Sequence, residues 1–160
     1  MKLRTGLAAL LGVVLVTPVI SLVTASSASA DPCGPEGNAI ACENSKPGSP
    51  ASEWGITGAG DSSIQGFATD ISVDVGNRID FKVDTDASAY TVTIYRMGYY
   101  GGDGARRITS VTPSANLPQN QPNCYRDTTT EITDCGNWAV SASWNVPASA
   151  VSGVYVAKLD

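Results

Sequence analysis

The sequence contains no histidine. That removes Ser-His and Cys-His nucleophile pairs, imidazole-ligated metals and the commonest general base. Chemistry here would have to rest on Asp, Glu, Tyr or Lys. Clustered basic residues are missing as well. Ten Lys and Arg stand against fifteen Asp and Glu, and no run of them forms a phosphate-binding stripe, so nucleic acid is excluded as a partner. The tight C-x₂-C pairs of a zinc site are absent. No helical periodicity of useful length occurs after the first thirty residues.

What is present begins with a targeting pattern. Lys2 and Arg4 precede an apolar run from about Leu7 to Val23, and Ala28-Ser29-Ala30 forms an A-x-A cleavage site. The reading is a cleaved signal peptide over residues 1–30, a mature chain from Asp31, and a secreted, extracellular product with no membrane association after cleavage. Removing Lys2 and Arg4 leaves eight basic and fifteen acidic residues, a formal charge of −7. Cys33, Cys42, Cys124 and Cys135 all lie in the exported part. An even count behind a signal peptide indicates disulfides. Three pairings are possible; the simplest joins Cys33 to Cys42 and Cys124 to Cys135, each closing a short loop.

Residues 31–63 are rich in Gly, Pro, Ser and Asn and read as an extended, disulfide-pinned lead-in that wraps a domain over residues 64–160. Trp54 is expected to plug an edge of the core, with a sugar-stacking platform as the alternative. From Ile64 the pattern turns to period two. Ile71, Val73 and Val75, then Ile79, Phe81 and Val83, predict the two arms of a hairpin. Asp84-Thr85-Asp86-Ala87-Ser88 reads as a polar turn rather than a calcium loop. Tyr90 to Arg96 is a strand with Val92 and Ile94 inward and Thr91, Thr93 and Tyr95 on the other side. Residues 107–111 resume a short strand, and residues 112–134 form a long connection tied by its cysteines. Trp138 to Val146 is a strand with Trp138, Val140, Ala142 and Trp144 on one face. Val154 to Leu159 follows, and Tyr155 matches a tyrosine corner, whose hydroxyl bonds back to nearby backbone. The fold class is all-β, an immunoglobulin- or fibronectin-like sandwich, with a jelly roll as alternative. The strand ending at Leu159 has no successor to cover its edge, so the sandwich is expected to be incomplete at its last strand.

Between two strands lies Ile94-Tyr95-Arg96-Met97-Gly98-Tyr99-Tyr100-Gly101-Gly102-Asp103-Gly104-Ala105-Arg106. Its glycines allow close backbone approach and its tyrosines offer contact area. Tyr99, Tyr100, Gly101, Gly102, Asp103 and Arg106 are the candidate interface or ligand loop. Three readings stay open: a docking surface for a following domain, a carbohydrate platform, or a hairpin tip covering the sandwich end. Asp103 is expected to pair with Arg106 or Arg107. No catalytic or metal-binding residue is identified.

That stretch, with Glu43-Asn44-x-x-Pro47-Gly48, residues 64–72, Cys135-Gly136-Asn137-Trp138 and Trp144-x-Val146-Pro147, resembles the N-terminal β-sandwich region of secreted actinobacterial proteins similar to the large (β) subunit of N,N-dimethylformamidase. The resemblance covers about residues 38–160. It implies a non-catalytic module whose partner is the downstream part of the same polypeptide. That downstream core would hydrolyse a small amide with an iron held by two Tyr and a Glu. None of those ligands carries onto this chain, so no cofactor is assigned to it. The alternative is a free-standing module for cell-wall or other polysaccharide, or a structural spacer.

Overall fold

A computed structural model describes residues 31–160; the expected signal peptide lies outside the described residues. The chain runs α1 (Ala39–Asn44), α2 (Ala51–Trp54), β1 (Ile64–Ala68), β2 (Arg78–Thr85), β3 (Val92–Met97), a 3-10 turn (Tyr100–Gly102), β4 (Ala105–Val111), β5 (Tyr125–Arg126), β6 (Thr133–Asp134), β7 (Ala142–Asn145) and β8 (Tyr155–Leu159). Two three-stranded antiparallel sheets form, ordered β1-β2-β7 and β4-β3-β8, with β5-β6 as a separate small hairpin. The fold is all-β. The connectivity corresponds to strands A-B-E and C′-C-F of an immunoglobulin-like sandwich.

The core follows from strand alternation. In β2, Ile79, Phe81 and Val83 point inward and the residues between them are half-exposed. They meet Val92 and Ile94 of β3 and Ala142 and Trp144 of β7. Burial of each of the aliphatic side chains and Phe81 among them, Ala142 excepted, contributes about 1.5–3 kcal/mol. Tyr155 Oη donates to the Val151 carbonyl at 2.7 Å, and its ring packs on Trp144 with centroids 5.6 Å apart. This bond pins the turn before β8. Tyr155→Phe keeps the ring and loses the bond. We expect it to cost about 1 kcal/mol in equilibrium urea unfolding.

Several sequence expectations are corrected. The partner of β2 in its hairpin is Ile64–Ala68 rather than residues 71–75. Ile71 is fully solvent-exposed and Val75 more than half. The reason is register: Phe67 and Ala68 face Lys82 and Phe81, and the chain leaves the sheet after Thr69 donates to Asp80. The lead-in is not wholly extended; it holds two short helices. Asn38 caps α1 by accepting from the Ala41 amide at 2.8 Å, a local device that needs no long apolar stripe. The strand expected from Trp138 to Val146 is confined to Ala142–Asn145. Trp138 turns away to pack on Phe67, centroids 5.7 Å apart, and Val140 is exposed. Asp84 and Thr85 belong to β2 rather than to a turn. In β3 the outward residues Thr93 and Tyr95 are buried too, because the lead-in covers that face: Tyr95 Oη reaches the Glu53 carbonyl at 3.4 Å.

Both disulfides take the local pairing, Cys33–Cys42 and Cys124–Cys135. The long connection is tied beyond its cysteines. Gln121 bridges the carbonyls of Val83 and Ala139 through its amide, each at 3.0 Å.

Candidate functional site

The tyrosine-glycine stretch links β3 to β4, and its backbone needs the glycines it has. Gly101, Gly102 and Gly104 all take positive φ, where a side chain is strained. Tyr100 also has positive φ, 43°, and holds it because its ring and hydroxyl are fixed from several sides.

Those fixings define a buried polar cluster at one end of the sandwich. Glu43, Arg96 and Tyr100 are each at most 3% exposed. Arg96 follows Val92 and Ile94 on the inward face of β3. Its Nη1 donates to Tyr100 Oη at 2.8 Å. Its Nε and Nη2 donate to the carbonyls of Val151 at 3.2 Å and Ser152 at 2.6 Å. Tyr100 Oη in turn donates to Glu43 Oε1 at 3.3 Å. The same carboxylate receives Arg106 Nε at 2.8 Å and Arg106 Nη2, and its other oxygen receives Lys46 Nζ at 2.6 Å. Both arginine guanidiniums lie 6.0 Å from the centroid of the Tyr100 ring. The last turn of α1 delivers the carboxylate, and Lys46, three residues on, neutralises it.

Burial alone would raise the Glu43 pKa. Hydrogen bonds from Lys46 and Arg106, with their charges, outweigh it and hold the carboxyl below the ordinary glutamate value. Burial alone would lower that of Arg106, but its bonds and attraction to Glu43 raise it. Both groups therefore stay charged at neutral pH, and each oxygen of the carboxylate is occupied by donors. A general acid or base must reach a substrate proton, and this carboxylate is enclosed by its own donors. What the cluster does is fasten: it joins the lead-in, the β3–β4 loop and the turn before β8.

Neighbouring contacts serve the same end. The Tyr99 amide donates to Asn44 Oδ1 at 2.9 Å. Trp54 Nε1 donates to the carbonyls of Ser49 and Asp103, both at 3.1 Å, and its ring lies against Gly104, where an added Cβ would come within 2.9 Å of it. Trp54 thus clips the loop rather than plugging the core. At Gly98 an added Cβ would fall 2.1 Å from Asn44 Oδ1, so only glycine permits this approach. Ser49 bridges to Ala105, which covers the outer edge of β4.

The candidate loop residues thus separate. Tyr100 and Arg106 belong to the cluster. Tyr99, Gly101, Gly102 and Asp103 are exposed, and Tyr99 is the loop's one exposed aromatic ring. Tyr100 is no part of an accessible platform, since its side chain lies beneath the loop. Asp103 forms an ion pair with neither Arg106 nor Arg107: Arg106 turns inward to Glu43, and Arg107 donates to Ser110 Oγ at 2.6 Å. Among the described residues, no three Cys, Asp or Glu side chains converge as metal ligands.

Glu43 and Arg96 were missed as a pair by sequence reasoning. One signal existed: Arg96 continues the inward alternation of Val92 and Ile94, and a buried guanidinium requires acceptors. Nothing in the spacing of 53 residues pointed to Glu43.

Residues 91–160 match the family model described as N,N-dimethylformamidase beta subunit-like, C-terminal. The matched segment contains β3, the tyrosine-glycine loop, β4, β7 and β8, and leaves out α1 with Glu43. No curated protein and no solved structure matches the chain.

Proposed function

We propose, taking residues 91–160 as an N,N-dimethylformamidase beta subunit-like segment, that this chain is a non-catalytic β-sandwich module of a longer exported hydrolase of that kind. Amide hydrolysis would reside in a downstream core of the same polypeptide, which is the module's partner. The observation that carries the non-catalytic reading is the closure of the Glu43–Arg106–Tyr100–Arg96 cluster: the Glu43 carboxylate and the Tyr100 hydroxyl are buried and taken up by hydrogen bonds from or to Arg96, Arg106, Lys46 and each other. The iron of the family's chemistry belongs to that core. The Tyr100–Glu43 pair does not suit a cation, because Arg96, Arg106 and Lys46 surround it with positive charge.

Export is supported by the two disulfides, which persist in oxidising compartments; among the described residues no helix is long and apolar enough to cross a membrane. N-terminal sequencing of the exported protein should begin at Asp31.

The test is hydrolysis of N,N-dimethylformamide by the full gene product and by the 160-residue chain alone. Activity confined to the full product supports the module reading. Hydrolysis by the short chain that is lost in Glu43→Gln contradicts it.

A further inference from the structure

Beside the core, between the two sheets, runs a groove of about 640 Å³. One flank is residues 70–75, and the other is the stretch from Ala150 through β8. Its floor is core: Phe81, Ile94 and Trp144. Both flanks carry unpaired backbone. In β8, Thr91 and Asp160 exchange both backbone bonds, and Met97 donates to the Val154 carbonyl. By antiparallel alternation the groups of Val156 and Lys158 also point to β3, so those of Tyr155, Ala157 and Leu159 point away from it. These have no hydrogen-bond partner among the described residues. On the opposite flank no backbone N–H from Asp70 to Val75 donates a hydrogen bond among the described residues. Yet Ile71-Ser72-Val73-Asp74-Val75 has the alternation of a strand, and its Ile71, Val73 and Val75 are exposed, as are Val154 and Val156 across from them.

A strand-patterned segment without a partner, an open strand edge and an apolar slot between them share one complement: a single additional β-strand. We infer that this groove receives a strand of the same polypeptide, supplied by residues that follow Asp160. It would pair antiparallel to β8 and put alternate apolar side chains onto Trp144, Phe81 and Ile94. Its other edge would bond residues 71–75 and draw them into β-structure. Sequential strands are usually spatial neighbours, and a short turn returns the chain along the edge it has just left. The strand occupies the G position beside strand F. A cis strand meets both flanks at once, whereas pairing β8 edges between two copies would leave residues 71–75 and the apolar floor uncovered.

The inference rests on the proposed longer polypeptide but not on its chemistry. The experiment places a photo-crosslinking phenylalanine at Val73 of the full gene product and maps the crosslink by mass spectrometry. It also compares amide exchange at Tyr155, Ala157 and Leu159 between the full product and the 160-residue chain. The expected crosslink is intramolecular, to a segment within about 15 residues after Asp160. The three amides should exchange on the order of 100-fold more slowly in the full product. A second position, Val156, should label the same segment if Val73 perturbs folding. An intermolecular crosslink, equal exchange in both proteins, or a stop codon directly after Asp160 would overturn the inference. A crosslinked strand followed by no hydrolase core would leave it standing and remove the functional proposal instead.

Discussion

Glu43→Ala should destabilise the domain by about 3 kcal/mol, read from equilibrium urea unfolding. The argument is one of stranded charge. The carboxylate is 3% exposed and the facing Arg106 side chain 28%. Removing the acid leaves the Arg106 guanidinium and the Tyr100 hydroxyl without their acceptor and Lys46 without its counter-ion. Breaking a buried pair from one side costs more than the pair adds, because the remaining charge stays desolvated. Partial exposure of Arg106 places the value at the low end of the range for buried pairs. A tyrosine at positive φ loses a fixing as well, so the loop loosens along with the lead-in. Acid should reproduce part of this loss in the unmutated protein. The folded pKa of Glu43 lies below its unfolded value, so its contribution is fully present above the unfolded pKa, about 4.3, and is lost as pH falls through the lower folded pKa. In Glu43→Ala that part of the acid dependence should vanish.

The second large effect concerns the staple on the same helix. Replacing Cys33 and Cys42 together by serine should cost about 2–3 kcal/mol and lower the melting temperature by about 10 °C. The bridge closes a loop with a sequence separation of 9, and Cys124–Cys135 one of 11. Chain entropy alone therefore predicts nearly equal losses from the two double-serine variants. The bridges differ in what they hold. Cys42 directly precedes Glu43, so the first staple limits fraying of the turn that delivers the carboxylate. The second ties a hairpin whose strands are exposed. The Cys33/Cys42 variant should be the less stable of the two, by calorimetry under non-reducing conditions.

How far this architecture was legible follows from where each signal is local. Alternation marked β2, because a half-buried strand writes its burial into every second residue, and it placed Val92 and Ile94 of β3 inward. The tyrosine corner and the disulfide loops are short-range and were legible for that reason. Residues 71–75 show the limit. Their alternation is as regular as that of β2, but among the described residues no strand pairs with them, and pairing is not written in a single segment. The helices of the lead-in were invisible because six and four residues carry too little periodicity, and their ends are set by Asn38 and by Pro50. The loop was conspicuous in sequence through its glycines and tyrosines. Its role was not, since that depends on Glu43, contributed from 57 residues away from Tyr100.

The central claim is that the tyrosine-glycine loop and the lead-in are one unit, locked by a buried charge cluster. A double-mutant cycle on Glu43→Ala and Arg106→Ala, with unfolding free energy as readout, tests it most directly. The lock predicts that the second substitution costs little once the first is made, with a coupling of about 2 kcal/mol or more. Additivity of the two single effects to within about 0.5 kcal/mol would contradict it.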